Sequence, residues 1–474
     1  MIEIPRQGLS EEAIFDELMK MKEHDLKDNG RAYAFSYEAG EDVKRVAQQA
    51  FAACMGGNGL DPTAYPSARR LENALVATTL AHLRAPEGAV GSCTSGGTES
   101  VMLSVKAARD YARKTRPEVV APEMLVPETA HASFHKAAHY FGVKLILVDV
   151  DATTMRASVD DYRAKLNSNT VLMVASAPSY AHGVVDPIAE CGQLALEADV
   201  LLHVDACIGG WVLPIQRELG FEVPEFDFTV PGVTSISVDL HKYAFAPKGV
   251  SVLLHRDPAV RACQYYACAT WSGYTVVNPT MLGSKSIAAM GAAWAVIQYL
   301  GKEGYEARIA DMAKAKDALV GAVDEIDGLR VLGRPDMGLV AVTSDSLDVF
   351  VLADRLIERG WQVQPTYAFA NSPAHIHFSI NPASAVNMEL FISDLQEAAK
   401  GLPEAIEVPP MMIKMMQAVT SGQGGMKVGS MMAEMGIADG RLPTEQAMIH
   451  RLVNAAPTQT REALLTAFLG DLFS

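Results

Sequence analysis

A lysine beside a histidine marks the stretch of the sequence best suited to covalent chemistry. Residues 235–249 hold Lys242 directly after His241, with β-branched residues before the pair and Pro247 and Gly249 after it. This order predicts a strand, a turn and a second strand. A lysine in such a turn, flanked by apolar neighbours, is partly desolvated, which lowers its pKa and makes its amine a nucleophile toward carbonyl groups. A surface lysine is the alternative, and the residues upstream decide against it.

Three further groups with chemical potential lie upstream of the lysine. Residues 95–100, Ser-Gly-Gly-Thr-Glu-Ser, separate a predicted strand from a predicted helix, and glycines at a helix start suit the binding of a phosphate. Asp205 ends a predicted buried strand, where ligands bind in open parallel sheets and where a carboxylate needs a cationic partner. His131 follows another predicted strand. Each group also has a structural explanation: a helix start, a capping or salt-bridged aspartate, and a core histidine.

The combination of these groups is more specific than any one of them. Pyridoxal 5′-phosphate requires a lysine that forms a Schiff base, a carboxylate that keeps the ring nitrogen protonated, and a site for its phosphate. Lys242, Asp205 and residues 95–100 supply these three parts in one chain. The sequence therefore predicts an enzyme that uses pyridoxal 5′-phosphate.

The motifs that contain these residues also resemble a known family. They are Thr-Ser-Gly-Gly-Thr-Glu-Ser at 94–100, Thr-Ala-His-Ala-Ser-Phe-His-Lys-Ala-Ala-His-Tyr-Phe at 129–141, His-Val-Asp-Ala-Cys-Ile-Gly-Gly at 203–210 and His-Lys-Tyr-Ala-Phe-Ala-Pro-Lys-Gly at 241–249. In this order, over roughly residues 30–400, the chain resembles the fold-type-I pyridoxal-phosphate enzymes of the group II decarboxylase kind, and most closely the sphingosine-1-phosphate lyases. The resemblance is very specific for fold and cofactor and much less specific for substrate.

The resemblance implies a role for each matching position around the cofactor. Lys242 is expected to form the Schiff base, Asp205 to pair with the pyridinium nitrogen, and His131 to stack on the ring. The residues expected to contact the cofactor phosphate are Gly97, Thr98 and His241. Gly283 and Ser284 match a stretch that reaches the phosphate from the second subunit. A homodimer with shared active sites is therefore expected, and two-fold symmetry is the commonest arrangement of such assemblies.

Other positions of the resemblance concern the substrate. Tyr37 and Lys248 match lyase residues that help hold the substrate's own phosphate. Lys285 stands where the family usually has an arginine, which keeps the charge but not the bidentate geometry. Asp61, in Asn-Gly-Leu-Asp at 58–61, stands where the lyases have a histidine expected to bind that phosphate. Because an aspartate repels a phosphate dianion at short range, the sequence leaves open whether the substrate is phosphorylated.

Three functions are compatible with these residues. The first is retro-aldol cleavage of an amino alcohol, with or without a long chain and a phosphate, to an aldehyde and a small amine, which is ethanolamine phosphate in the most similar family. The second is α-decarboxylation of an amino acid such as glutamate, aspartate or an aromatic one, which uses the same cofactor contacts. The third is a non-catalytic, cofactor-dependent regulator, and the intact Lys242, Asp205 and His131 argue against it.

The elements that must position these residues follow from the hydrophobic pattern. Short apolar runs alternate with helical stretches, which predicts an α/β large domain with a mainly parallel sheet. The predicted strands of this part lie at 89–93, 123–126, 144–150, 171–176 and 200–204. The predicted units of the whole chain are an N-terminal helical arm (1–60), the cofactor-binding large domain (61–300), a small α+β domain (301–400) and a methionine-rich helical tail (401–474).

Composition limits the choice of partners and compartment. A net charge of −16 and a pI near 5.2 argue against nucleic acid or an anionic membrane as partner. No apolar run approaches the roughly 18 residues of a membrane-spanning helix, and the N-terminus has no signal-peptide pattern. The six cysteines have no metal-ligand spacing, so we predict free thiols and no metal site. These features predict a cytoplasmic protein, and the resemblance implies that its substrate is a small-molecule amine.

Overall fold

A seven-stranded sheet organises the chain, of which the computed structural model describes residues 4–27, 29–421, 443 and 445–473. The strands are β1 (Val90–Thr94), β2 (Glu123–Pro127), β3 (Lys144–Val148), β4 (Thr170–Ser176), β5 (Leu201–Asp205), β6 (Val233–Val238) and β7 (Ser251–His255). Their order is β1-β7-β6-β5-β4-β2-β3, and only β7 runs antiparallel to its neighbours. The predicted α/β class with a mainly parallel sheet is confirmed.

Helices cover both faces of this sheet, so its strands are buried on both sides. Every residue of β2 and β4 is buried, as is typical of parallel strands between helical layers. The helices before and within this part of the chain are α1 (Glu11–Met21), α2 (Glu41–Cys54), α3 (Pro66–His82), α4 (Gly97–Thr115), α5 (Ser133–Phe141), α6 (Val159–Lys165), α7 (Ile188–Glu197), α8 (Gly209–Glu218) and α9 (Pro258–Ala262). The carboxyl ends of the parallel strands therefore meet at one edge, where the loops into these helices begin.

A small hairpin and a long helix connect the large sheet to the rest of the chain. The hairpin pairs β8 (Tyr266–Cys268) with β9 (Val276–Asn278) and had no counterpart in the sequence-based prediction. Helix α10 (Ala288–Asp324) follows and is kinked at Gly301, whose φ of 55° and ψ of −172° are not helical. Glycine reaches this conformation without the steric penalty of a side chain.

A second, antiparallel sheet forms beyond the long helix. Its strands are β10 (Arg330–Val331), β11 (Leu339–Thr343), β12 (Gln364–Thr366) and β13 (His375–Ser379), in the order β10-β11-β13-β12. The helices of this part are α11 (Val349–Glu358), α12 (Pro382–Val386) and α13 (Met388–Ala399). The boundaries at residues 60, 300 and 400 stay predictions of where independently folding units divide.

A segment near the N-terminus packs on this second sheet. The Tyr33 amide donates to the Gln362 carbonyl (2.8 Å), and the Ser379 amide donates to the Tyr33 carbonyl (2.7 Å). The Tyr33 ring is fully buried, with its centroid 4.3 Å from that of Phe391 and 5.8 Å from that of Phe378. These contacts place the aromatic loop that follows, residues 35–37, beside the edge of the large sheet.

The C-terminal tail is helical in the part that the structure describes. Its helices are α14 (Pro410–Thr420), α15 (Ala447–Ala455) and α16 (Thr458–Leu472). The tail docks on the small sheet and on α11 of the same chain: Arg451 Nε lies 2.5 Å from Asp348 Oδ2, and the Ala368 amide donates to Asn454 Oδ1 (2.7 Å). Of the predicted methionine stripe, Met431, Met432 and Met435 lie outside the described residues.

The structure also bears on the prediction that concerned membranes. No helix among the residues described has the length and apolar character needed to cross a bilayer.

Candidate active site

A cavity of about 640 Å³ lies at the edge where the parallel strands end. Eight of the eleven predicted site residues line it. They are Tyr37, Gly97, Thr98, His131, Asp205, His241, Lys242 and Lys248. The structure thus brings together residues that span more than 200 positions of the sequence, although their individual roles toward a cofactor stay predictions.

Lys242 lies in the turn after β6, and its charge is balanced by a neighbouring carboxylate. Its Nζ atom is 2.9 Å from Oδ2 of Asp239, and both side chains are largely buried. Burial lowers the pKa of Lys242, but the negative charge of Asp239 more than offsets this, so the pKa lies above its ordinary value. The prediction of a lowered pKa, made from desolvation alone, is therefore wrong for the arrangement seen here.

Asp239 is held by contacts on several sides. Its Oδ1 atom accepts a hydrogen bond from Ser251 Oγ (2.5 Å), and its Oδ2 atom lies 3.8 Å from His241 Nε2. A Cβ atom at Gly97 would lie only 2.6 Å from Oδ2, so only glycine fits at the start of α4 beside this carboxylate. The sequence analysis did not select Asp239, although its position three residues before the lysine was a usable signal.

Asp205 and His131 stand at the ends of their strands as predicted. Asp205 is the last residue of β5, and its Oδ1 atom accepts hydrogen bonds from the Cys207 amide (3.1 Å) and from Ser237 Oγ (3.4 Å). His131 follows β2, and its Nδ1 atom lies 2.9 Å from Ser133 Oγ and accepts from the Ser133 amide (3.2 Å). These bonds fix both side chains at the rim of the cavity.

The glycine turn before α4 is the part of the cavity suited to a phosphate. The Glu99 carboxylate stabilises the turn through two hydrogen bonds. Its Oε2 atom accepts a hydrogen bond from the Ser95 amide (2.5 Å), and its Oε1 atom accepts one from the Met281 amide (2.6 Å). His241 faces the turn, its Nδ1 donates to the Val250 carbonyl (2.8 Å), and burial lowers its pKa. The free amides at the start of the helix offer hydrogen-bond donors to an anion, and the imidazole, whose Nδ1–H is used by the Val250 carbonyl, adds a donor at Nε2 only when it is protonated.

The other three predicted site residues, Asp61, Gly283 and Ser284, do not line the cavity. Asp61 is exposed and closes its own turn, because its Oδ1 accepts from Thr63 Oγ1 (2.6 Å) and the Thr63 amide (2.8 Å). These bonds lower the pKa of Asp61. The loop that holds Asp61 is bound to the loop that holds Gly283 and Ser284, since the Gly59 amide donates to the Lys285 carbonyl (2.7 Å). The predicted site residues thus form two groups at two places on one chain.

Besides Asp239, the cavity contains further residues that the sequence did not indicate, among them Tyr180 and Gln364. The Tyr180 hydroxyl donates to Gln364 Oε1 (2.6 Å), and both side chains line the cavity. Burial raises the pKa of Tyr180 to about 12. Tyr180 lies in the loop after β4 and Gln364 begins β12, so this pair closes the cavity from the side of the small sheet.

Three buried histidines lie behind Tyr180. The ring of His377 stacks on Tyr180 with centroids 4.2 Å apart, and the rings of His182 and His375 lie 5.3 Å apart. His182 Nε2 is also 2.9 Å from Ser372 Oγ. Burial lowers the pKa of His182 and of His377 to about 3 and lowers that of His375 as well. These imidazoles are therefore neutral in the folded protein near neutral pH.

We expect the histidine cluster to make the protein sensitive to acid. The unfolded chain binds protons to His182 and His377 below about pH 6.5, whereas the folded chain does not until about pH 3, so stability is lost as the pH falls through this window. Each such histidine lowers the free energy of unfolding by about 2 kcal/mol between pH 7.5 and 5. Denaturant unfolding at the two pH values measures the loss.

A matched pair of variants tests the assignment to this cluster. His182→Gln keeps an Nε2 donor for Ser372 but cannot titrate, so its pH dependence of stability should be shallower than that of the wild type. His24→Gln changes an exposed histidine and should leave the dependence unchanged. Equal slopes for His182→Gln and the wild type would refute the assignment.

The fold and the cavity together define a pyridoxal-phosphate-dependent enzyme of fold type I. Residues 2–343 match the family described as the pyridoxal-dependent decarboxylase conserved domain, and the chain belongs to this family. Residues 395–471 match a second family, described as the C-terminal putative HTH domain of pyridoxal-dependent enzymes. The cofactor predicted from the sequence is thereby confirmed.

Several known proteins resemble the chain over most of its length. A sphingosine-1-phosphate lyase of Arabidopsis thaliana is 39% identical over 405 residues, which are 84% of this chain and 73% of that protein. The structure of a sphingosine-1-phosphate lyase of Burkholderia pseudomallei has a TM-score of 0.80 at 35% identity, over 85% of this chain and 93% of that one. A probable L-tyrosine/L-aspartate decarboxylase of Methanothermobacter thermautotrophicus is 31% identical over 354 residues, 74% of this chain and 93% of that protein.

Proposed function

We propose that this enzyme is a carbon–carbon lyase that cleaves a phosphorylated long-chain amino alcohol to an aldehyde and ethanolamine phosphate. The observation that carries the proposal is the meeting of Lys242, Asp205 and His131 in one cavity of a chain that is 35–39% identical to sphingosine-1-phosphate lyases. The identity supports the reaction type, and the cavity supplies the groups that the reaction requires.

The residues present fit the cofactor. Asp205 offers a carboxylate at the buried end of a strand, Lys242 offers an amine, and the start of α4 offers amide donors to a phosphate. The cavity volume of about 640 Å³ lies in the range of sites that hold a cofactor and a small substrate. When bound, pyridoxal phosphate supplies an electron-accepting ring that stabilises negative charge on the carbon next to the substrate's amine.

The residues of the chain would then have distinct tasks. The Asp205 carboxylate would keep the ring nitrogen protonated, and His131 would hold the ring by stacking against one face. Lys242 would bind the cofactor until the substrate amine replaces it, and its Nζ would then return a proton to the α-carbon after the Cα–Cβ bond breaks. The Lys242 amine, freed by the substrate, would accept the proton of the β-hydroxyl as the Cα–Cβ bond breaks, the hydroxyl oxygen would become the aldehyde oxygen, and the same proton would go from Nζ to the α-carbon, so that the proton count is balanced.

The mouth of the cavity carries the groups proposed for the substrate. The Lys248 ammonium lies 4.4 Å from the centroid of the Tyr37 ring, and the pKa of Tyr37 is raised by burial. An ammonium and a neutral phenol side by side can bind an anionic group, which supports a substrate phosphate at this place. Asp61 is turned to its own loop by its hydrogen bonds to Thr63, so its charge does not face this cavity of the same chain.

A homodimer with shared sites is part of the proposal. Gly283 and Ser284 lie outside the cavity of their own chain, and large apolar side chains are exposed in their loop, at the ends of α2 and α3 that flank the Asp61 loop, and on α10. These side chains are Met55, Tyr65, Met281, Leu282, Trp294 and Tyr299. Exposed apolar side chains of this kind support a protein interface, and a second copy docked through the loop of Gly283 and Ser284 would bring these residues to the first cavity.

A cytoplasmic location is also proposed, because all six cysteines are free thiols. Free thiols throughout a chain are typical of reducing compartments.

Decarboxylation of an amino acid is the second candidate. It is favoured by Asp61 in place of a histidine and by the 31% identity to a probable L-tyrosine/L-aspartate decarboxylase. The same cavity serves both reactions, because the bond that breaks depends on which substituent of the α-carbon stands perpendicular to the cofactor ring.

A product assay decides between the two reactions. The purified enzyme, loaded with pyridoxal phosphate, is given a phosphorylated long-chain amino alcohol in one tube and a pool of amino acids in another. We expect aldehyde from the first tube and no carbon dioxide from the second. Carbon dioxide without aldehyde would overturn the lyase assignment, and the unphosphorylated amino alcohol in a third tube tests whether the phosphate is required.

A further inference from the structure

The proposed function gives no task to the carboxylate of Asp239, a charged group that lines the cavity. It is buried and in contact with three parts of the site: Lys242 Nζ at 2.9 Å, His241 Nε2 at 3.8 Å, and the start of α4 at Gly97. Ser251 Oγ fixes its other oxygen at 2.5 Å. The groups expected to meet the cofactor's aldehyde and its phosphate thus share one carboxylate.

Pairing with a buried carboxylate has a direct effect on the amine. A lysine attacks a carbonyl only through its unprotonated form, and a carboxylate at 2.9 Å stabilises the protonated form. Without Asp239, the largest remaining influence on the pKa of Lys242 is burial, which favours the neutral amine. The rate at which Lys242 combines with an aldehyde therefore depends on this one charge.

The same charge affects the phosphate. The start of α4, where we expect the phosphate, is so close to Asp239 that a Cβ atom at Gly97 would lie 2.6 Å and 2.8 Å from its two oxygens. Two like charges a few ångströms apart in a partly buried site repel each other by several kcal/mol before screening. His241, between the two, is the cationic group available to offset this repulsion when it is protonated.

We propose that Asp239 is a positioning residue that restrains Lys242 and opposes the cofactor phosphate, so that it sets the pH range and the affinity with which the chain takes up pyridoxal phosphate. This inference rests on the assignment of Lys242 as the residue that binds the cofactor. It predicts that removing the charge of Asp239, with its shape retained, makes cofactor uptake faster at neutral pH and tighter.

A structural role is the competing explanation. Asp239 could serve only to hold the turn through Ser251. In that case, loss of the Ser251 hydrogen bond and loss of the Asp239 charge would have the same effect on cofactor uptake. If the charge itself matters, only the second change would alter the pH profile.

The test uses the full-length chain stripped of cofactor by hydroxylamine and dialysis. Pyridoxal 5′-phosphate is added at a series of pH values, uptake is followed by absorbance, and borohydride reduction with peptide mass spectrometry identifies the modified lysine. For Asp239→Asn we expect the pH midpoint of cofactor uptake to be lower by about one pH unit or more. Uptake at pH 7 should therefore be roughly tenfold faster than in the wild type. Pyridoxine 5′-phosphate, which has the phosphate but no aldehyde, should bind several-fold more tightly to this variant.

The controls separate the possible failures. Ser251→Ala keeps the charge and should retain the wild-type midpoint. An unchanged midpoint in Asp239→Asn, or equal shifts in both variants, would overturn the inference while leaving Lys242 as the modified residue. Absence of label on Lys242 in the wild type would instead overturn the proposed function. If Asp239→Asn does not fold, the pH profile of cofactor uptake by the wild type tests the inference by itself. An uptake rate that has already reached its plateau at neutral pH would contradict a restraint on Lys242.

Discussion

Replacement of Lys242 by alanine is expected to lower product formation by a factor of roughly 10⁴ or more, because the amine that binds the cofactor and returns the proton is lost. The variant should also lose the yellow absorbance that survives gel filtration. Single-turnover product analysis and absorbance after gel filtration measure the two effects. A variant that turns over at the wild-type rate would refute the assignment of Lys242.

The same change is expected to destabilise the fold, and this effect must be separated from the chemistry. Lys242→Ala leaves the buried Asp239 carboxylate without its ammonium, which costs about 3–5 kcal/mol. Lys242→Ala combined with Asp239→Asn should recover much of that stability and none of the activity. Lys302→Ala is the matched control, because Lys302 is mostly exposed and pairs with Glu218 at the surface, and it should retain full activity.

Mixing two inactive variants is expected to restore activity if the active sites are shared between subunits. Ser284 is exposed, so Ser284→Asp should fold normally but repel the cofactor phosphate of the partner's cavity. In a mixed dimer with Lys242→Ala, one cavity combines an intact Lys242 with an intact Ser284. Random exchange of subunits makes half of the dimers mixed, each with one working site, so about a quarter of the wild-type activity should return.

The control for this experiment places both changes in the same cavity. Lys242→Ala mixed with Asp205→Ala leaves each cavity of a mixed dimer with one defect, so no activity should return. Native mass spectrometry shows whether mixed dimers have formed. Mixed dimers that stay inactive with Ser284→Asp would contradict the shared site, and a monomeric wild type with full activity would do the same.

The large sheet was predictable because each parallel strand is a short apolar run with turn residues on both sides. The predicted strand at 200–204 is observed as β5 at Leu201–Asp205, and that at 171–176 as β4 at Thr170–Ser176. With the strands in place, the rule that ligands bind at their carboxyl ends was sufficient to put Asp205 and His131 in one cavity. These predictions depend on local pattern and on one rule of topology.

The particular side-chain contacts of the site did not follow from the hydrophobic pattern. The pKa of Lys242 was predicted from desolvation to be lowered. It is raised instead, because the Asp239 carboxylate lies beside the amine in the same cavity. Tyr180 and Gln364 lie 184 positions apart and meet only because the small sheet closes over the large one. Asp61 was expected beside the substrate from its place in a motif; its carboxylate is bonded within its own turn, and its role toward a substrate stays a prediction. Only the Tyr180–Gln364 contact is set by tertiary packing, since the partners of Lys242 and Asp61 lie two or three residues away in the chain.

The pairing of Tyr33 with Gln362 and Ser379 also sets an order of events during synthesis. A ribosome that adds 5–20 residues per second needs roughly 15–70 s to extend the chain from Tyr33 to Ser379. For that time the aromatic ring that ends up fully buried has no core to enter, and the loop that contributes Tyr37 to the cavity has no fixed place. The nascent chain therefore completes its active site only when most of it has left the ribosome, and until then it depends on protection from aggregation.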